Sequence, residues 1–176
     1  RMRPVRLAFL LALAGTTYLV ANSLFANNVV TDTVAPIAAA INAEAADPVR
    51  LVHNTLANAV AVSQPGVLIR TGTVFITDTI VAGYGVAITG GGVEDFNLFF
   101  NNGANVVGAA SGGHSFTADP RFVDPAGGDY HLKPGSPAIN AGVNVGLTTD
   151  IDRDPRPIGA GVAIREPDVA VVGARD

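Results

Sequence analysis

The stretch Asp119–Gly142 reads DPRFVDPAGGDYHLKPGSPAINAG and decides the fold that the sequence predicts. It holds four prolines and four glycines, which exclude a long helix because proline lacks an amide donor and glycine favours turns. Apolar residues nevertheless recur at short intervals, at Phe122, Tyr130, Leu132 and Ile139. The stretch therefore predicts short strands and fixed turns that wrap over a larger body.

Four segments upstream share one pattern. They read LVANSLFAN, LVHNTLANA, FITDTIVAG and VEDFNLFFN, at Leu19–Asn27, Leu51–Ala59, Phe75–Gly83 and Val93–Asn101. Their alignment gives a hydroxyl or amide column of Ser23, Thr55, Thr79 and Asn97, followed by an apolar column of Leu24, Leu56, Ile80 and Leu98. The spacings of 32, 24 and 18 residues disfavour helical repeats of fixed period. They suit a parallel β-helix, in which strands stack in register while the turns vary in length.

The column before the hydroxyl residues holds Asn22, Asn54 and Asp78. Because Asn and Asp tolerate left-handed backbone, these residues predict a ladder of turns. Further strands are expected at 67–70, 74–77 and 86–89. The alanine-rich stretch Asp32–Pro48 predicts a short helix or a projecting loop, with Ala43 among the residues that favour the helix.

The opening stretch closely resembles the C-terminal closing segment of bacterial right-handed parallel β-helix proteins, including those of the "choice-of-anchor Q" type. The family pattern is DPxFVDPxxGDYHLxPGSPAIDAG, with Asn140 here where Asp is commoner. The resemblance implies an all-β, right-handed parallel β-helix (solenoid) of the pectate-lyase-like fold. It assigns 17–108 to β-helix coils and 109–176 to the closing segment, which is expected to cover the strand edge of the last coil.

The first sixteen residues allow two interpretations. Arg1–Arg6 is basic and Leu7–Gly15 is apolar, which are features of an export signal, although cleavage there would leave a short signal. The other interpretation is an extra coil or cap in a chain that continues upstream. A transmembrane helix is disfavoured because glycine and threonine interrupt the short apolar run.

Composition limits the classes of function. Hydrophobic residues make up 48% and charged residues 15%, and the net charge is −4. A net negative charge disfavours nucleic-acid binding, since proteins that bind nucleic acid usually carry a basic surface. The chain has no cysteine, which excludes disulfides and cysteine-ligated metal sites.

Three carboxylates alternate in TTDIDRDPRP, at Asp150, Asp152 and Asp154. Such oxygen ligands suit calcium, so these residues are a candidate calcium site. The match to an EF-hand loop is poor, because proline stands where that loop needs glycine. The alternative is a structural turn in which Arg153 and Arg156 neutralise the carboxylates.

Asp78, Glu94 and Asp95 are the carboxylates near adjacent coils, with Arg50 and Arg70 in the same layers. Glycosidases and polysaccharide lyases of this fold use such groups, but adjacent Glu94 and Asp95 should point to opposite faces of a strand. The sequence therefore assigns no catalytic residue and no bound cofactor apart from the candidate calcium.

The three histidines, His53, His114 and His131, lack the spacing of a metal site. By resemblance, the leading hypothesis is an extracellular or cell-surface bacterial scaffold for adhesion or glycan contact, without catalysis. Its partners would be a polysaccharide or cell-surface molecule and upstream coils of the same polypeptide, with no membrane span in the mature chain. The alternative is a polysaccharide lyase or glycoside hydrolase of the pectate-lyase-like fold.

Overall fold

The computed structural model describes residues 9–11, 18–27, 39–44 and 48–153. These residues form seventeen strands, and no helix occurs among them. The strands are β1 (Phe9–Leu11), β2 (Tyr18–Ala21), β3 (Leu24–Ala26), β4 (Ile41–Glu44), β5 (Val49–Val52), β6 (Thr55–Ala57), β7 (Pro65–Thr71), β8 (Val74–Thr77), β9 (Ile80–Ala82), β10 (Val86–Gly90), β11 (Val93–Asp95), β12 (Leu98–Phe100), β13 (Ala104–Val107), β14 (Ala110–Ser111), β15 (Phe116–Thr117), β16 (Phe122–Asp124) and β17 (Asp129–Leu132). The all-β prediction is confirmed.

Three parallel sheets of five strands each form the body. Sheet one stacks β1, β4, β7, β10 and β13, sheet two stacks β2, β5, β8, β11 and β14, and sheet three stacks β3, β6, β9, β12 and β15. Each strand pairs with the strand three places earlier, so the chain winds as a β-solenoid. The turns β4–β6, β7–β9 and β10–β12 have neighbours on both sides, while β1–β3 and β13–β15 are the outermost of the described turns.

Alternating side chains fill the interior of the solenoid, because successive residues of a strand point to opposite faces. In sheet two Leu51 pairs with Ile76, and in sheet three Leu56 pairs with Val81. All four side chains are buried in one core. A single turn could not bury these residues alone, so their burial depends on the stack.

The register differs by one residue from the predicted alignment in the second repeat. Leu24 pairs with Thr55, so Asn54 rather than Thr55 continues the column of Ser23. The two repeats share the letters L-V-x-N followed by a hydroxyl residue, and this similarity favoured the wrong alignment. Because side chains alternate along a strand, such a slip would exchange inward and outward residues throughout the turn.

The corner between sheets two and three is a column of residues with left-handed backbone. Asn22, His53, Asp78 and Phe96 have φ angles of 50° to 57°. The turn ladder predicted at Asn22 and Asp78 is confirmed. His53 occupies the place predicted for Asn54, as the shifted register requires.

Beside this corner runs a polar ladder made of Ser23, Asn54, Thr79, Asn97 and Ser115. The Ser23 amide donates to Asn54 Oδ1 at 3.1 Å, and the Thr79 amide donates to Asn97 Oδ1 at 2.9 Å. The Asn97 amide donates to Ser115 Oγ at 2.9 Å. The ladder therefore gives hydrogen-bond partners to backbone N–H groups that would otherwise be buried without one.

Beyond β15, the closing segment packs on the outer face of sheet three. Tyr130, Leu132 and Ala138 are buried there in one cluster with outward-facing residues of the sheet, which include Ala57, Ile80, Ala82 and Leu98. Within the predicted closing segment, β14 and β15 pair with β11 and β12, and among the described strands β15 has only β12 as its neighbour. Whether the rest of the segment covers that edge stays a prediction. Sheet three is apolar on both faces, and burial of its outer face holds the segment there.

The alanine-rich stretch contains a strand instead of the predicted helix or loop. Its residues 41–44 are β4, in which Ala43 is buried against the core, while residues 32–38 and 45–47 lie outside the described residues. β1 lies within the first sixteen residues and pairs with β4. β14 and β15 lie within the closing segment but pair in the solenoid.

Candidate functional site

A groove lies between the corner that follows sheet three and the hairpin β16–β17. Asn58, Gly83 and Asn101 line one side, at equivalent places in successive turns. The backbone N–H of Asn58 donates to the Ala82 carbonyl at 3.1 Å, which holds this register. Gly83 has a φ of 78°, and a Cβ there would meet the Asn58 carbonyl oxygen at 2.7 Å, so the close approach requires glycine.

The opposite side of the groove carries two cationic residues, Arg121 and Lys133. The Lys133 amide donates to the Arg121 carbonyl at 2.9 Å, so both side chains start from neighbouring positions. Asp119 Oδ1 accepts the Arg121 amide at 2.8 Å, and Arg121 Nη1 donates to the Gly135 carbonyl at 3.0 Å. The loop and the guanidinium group are thus held by separate contacts.

Tyr130 connects the hairpin to the turn of the solenoid that contains β3. Its hydroxyl donates to Asn27 Oδ1 at 2.9 Å, and its ring meets Phe122 edge to face at 5.0 Å. Burial raises the pKa of Tyr130 above its ordinary 10.0 and outweighs the hydrogen bond to Asn27. The phenol therefore stays a neutral donor in the lining of the groove.

The groove has a volume of about 520 Å³, within the range of small-molecule sites. Phe100 and Phe122 give it apolar surface, and the asparagines and cations give it polar surface. Such a mixture suits a ligand with both apolar faces and hydroxyl groups, which is the character of a sugar.

Among the residues that line the groove, Asn58 has an unsatisfied side-chain amide. Its side-chain Nδ2 and Oδ1 are both buried, and neither has a hydrogen-bond partner among the described residues. An unsatisfied buried polar group costs about 1–3 kcal/mol. Neither atom is exposed to solvent, so the side chain must turn towards the groove before a ligand can reach it. A ligand with an adjacent donor and acceptor, such as two neighbouring hydroxyls, would then remove that penalty.

The predicted calcium residues lie at the end of the described chain. Asp150 is buried, and its carbonyl accepts the Arg153 amide at 3.2 Å in a turn. Asp152 Oδ2 lies 2.9 Å from His131 Nε2, and Asp154 is outside the described residues. Up to Arg153, the described residues bring together no group of three His, Cys, Asp or Glu that could hold a metal ion. Calcium binding at these residues stays a prediction.

His131 instead joins two carboxylates in a clamp formed by Asp129, His131 and Asp152. Its Nδ1 lies 2.5 Å from Asp129 Oδ1, and its Nε2 faces Asp152. Burial lowers the pKa of His131, but the hydrogen bonds to Asp152 and Asp129 outweigh it, so the pKa lies above 6.5. The hydrogen bonds from His131 hold the pKa of Asp129 below 3.8. The clamp connects β17 to the turn at 150–153.

We expect this clamp to stabilise the fold most between about pH 4 and 6.5. The raised pKa of His131 gives stability that is complete below its ordinary 6.5 and is lost as pH rises through the higher folded value. The lowered pKa of Asp129 gives stability that is present above 3.8 and is lost as pH falls through the lower folded value. Melting temperatures of wild type and His131→Gln should therefore differ more at pH 5.5 than at pH 8.5. Other titrating groups affect both proteins alike and cancel in that difference. A difference in melting temperature that does not change with pH would contradict the role given to His131.

The other candidate carboxylates have separate surroundings. Glu94 is buried inside the solenoid, where its Oε2 accepts from Asn97 Nδ2 and from Ser115 Oγ. Asp95 points the other way and accepts the His114 amide at 2.9 Å, which confirms the expected opposite faces. Burial raises the pKa of Asp95, but its hydrogen bonds with His114 prevail and lower it.

Asp78 and His53 form a buried pair beneath the closing segment. His53 Nε2 lies 3.4 Å from Asp78 Oδ2, and Asp78 Oδ1 accepts the Val143 amide at 2.8 Å. Arg50 is exposed on sheet two and Arg70 on sheet one. These contacts give Asp78 a role in docking the closing segment onto the corner.

Sequence reasoning did not find the groove. Asn58 belonged to a recognised repeat, but nothing marked its amide as unpaired. Arg121, Tyr130 and Lys133 belonged to the closing segment, whose position on sheet three the sequence did not give. The one available signal was that the only lysine lies within that segment.

Among the described residues, no helix has the length and apolar character needed to cross a membrane. Comparison of the chain with protein-family models, with curated proteins and with solved structures finds no match.

Proposed function

We propose that the chain is a non-catalytic β-solenoid module of the choice-of-anchor Q type, which serves outside bacterial cells or on their surface as a scaffold that contacts a glycan. The solenoid supplies a rigid body, and the groove supplies the contact surface. The observation that carries the proposal is the buried side-chain amide of Asn58, which has no partner among the described residues, in a residue that lines a groove with aromatic surface.

The chemistry of a sugar fits this lining. A primary amide offers a donor and an acceptor side by side, and two neighbouring hydroxyls of a sugar ring can accept from one and donate to the other. The apolar face of the same ring can pack on Phe100 or Phe122, which both line the groove. One ligand could therefore satisfy both kinds of surface.

We expect Asn58→Ala to weaken oligosaccharide binding by about tenfold, since one satisfied amide corresponds to about 1.4 kcal/mol. The same change should leave the melting temperature equal or higher, because it removes an unsatisfied buried group. Binding can be measured by calorimetry against neutral and acidic hexasaccharides. Asn144→Ala is the control, because Asn144 is exposed and does not line the groove.

Two results would contradict the proposal. One is that wild type binds no oligosaccharide of the panel. The other is that Asn58→Ala binds as tightly as wild type, which would place any sugar site elsewhere on the solenoid.

A further inference from the structure

The groove concentrates positive charge on a chain whose net charge is −4. Arg121 and the only lysine, Lys133, both line it, and their backbones are joined by a hydrogen bond. Asp119 is the acidic residue in the same lining. The lining therefore carries a formal charge of +1, the sum of two cations and one carboxylate.

Asp119 is directed at the backbone. Its Oδ1 accepts the Arg121 amide at 2.8 Å, which fixes the turn before the hairpin. Arg121 Nη1 is held by the Gly135 carbonyl at 3.0 Å. A guanidinium has five N–H donors, so this contact orients the group and leaves further donors for a ligand.

We propose that the groove selects a sugar that carries an anionic substituent, a carboxylate or a sulfate ester, and that Arg121 and Lys133 hold the charged oxygens while Asn58 holds ring hydroxyls. This inference rests on the proposed function and names the ligand class of the same site. Hydrogen bonds between a cationic donor and an anionic acceptor are stronger than those between neutral groups. Both side chains are exposed, so salt should screen the attraction.

The test compares ligands that share a backbone and differ in charge. The probes are β-1,4-mannohexaose, β-1,4-mannuronate hexasaccharide and 6-O-sulfated β-1,4-mannohexaose, titrated into the full chain by calorimetry. We expect the anionic ligands to bind about tenfold more tightly than the neutral one, and the preference to shrink as salt rises from about 0.05 to 0.5 M. The tighter of the two anionic ligands identifies the substituent.

Arg121→Gln and Lys133→Gln should each reduce that preference by about threefold or more, without changing binding of the neutral hexasaccharide by the same factor. Arg50→Gln is the matched control, because it removes the same charge from the exposed face of sheet two. Melting temperatures verify that each variant is folded. Lys133→Gln provides an independent test if loss of the Arg121–Gly135 contact unfolds the first variant.

The outcomes separate this inference from the function on which it rests. If all three ligands bind equally, the inference falls and the glycan function stands. If none binds, both fall. A further outcome is that the anionic ligands are preferred while the preference survives in both groove variants or is lost in Arg50→Gln. Residues outside the groove would then bind the anionic group, and the inference would be overturned.

Discussion

Asn97→Ala is expected to lower the free energy of unfolding by about 3–5 kcal/mol, because it breaks a buried polar network from its centre. Asn97 Oδ1 accepts the Thr79 amide at 2.9 Å, and Asn97 Nδ2 donates to the Ile76 carbonyl at 3.0 Å and to Glu94 Oε2 at 2.9 Å. Alanine would leave the amide, the carbonyl and the carboxylate without these partners inside the solenoid. Urea unfolding followed by circular dichroism measures the loss.

Asn105→Ala is the control for this change. Asn105 Nδ2 donates to Thr117 Oγ1 at 2.9 Å, but this contact is exposed, so its loss should change stability by less than about 1 kcal/mol. Equal losses in the two variants would contradict the role given to the polar ladder.

The interaction with Glu94 can be tested separately. In a Glu94→Gln background, Asn97→Ala should be less destabilising, because the substitution no longer leaves a buried carboxylate short of a donor. An unchanged loss in that background would show that Glu94 contributes nothing to the network.

The fold was predictable because its signals repeat. Asp78 and Asn97 each stand in a short segment bounded by turn residues, and the closing segment adds a dense set of prolines and glycines. Strands in such segments have few alternatives, since their apolar faces can only be buried by stacking. The same repetition caused the error at Asn54. Ser23 could be aligned with either Asn54 or Thr55, because both are small polar residues.

The groove was not predictable for a different reason. Tyr130 and Asn27 are 103 residues apart in the chain, and their hydrogen bond exists only because the hairpin lies on sheet three. No local pattern reports such a contact. The alternating carboxylates at Asp150 and Asp152 were visible in the sequence, but the contact of Asp152 with His131, 21 residues earlier in the chain, was not.

The placement of the hairpin leads to the second large effect. We expect Leu132→Ala to lower stability by about 2–5 kcal/mol, because Leu132 is 1% exposed and packs in the cluster that joins the closing segment to sheet three. The residue lies next to Lys133 and shares β17 with Tyr130, so loosening it should also open the wall of the groove. Stability and oligosaccharide affinity are therefore expected to fall together.

Limited proteolysis distinguishes local release of the closing segment from unfolding of the whole solenoid. In Leu132→Ala, cleavage should appear first within 118–150, while the strands of the solenoid stay protected. Val123→Ala is the control, because Val123 is in the same hairpin but 41% exposed, and its cleavage pattern should match wild type. If Leu132→Ala is as stable and as resistant as wild type, the hairpin does not depend on sheet three, and the groove between them would lose its structural basis.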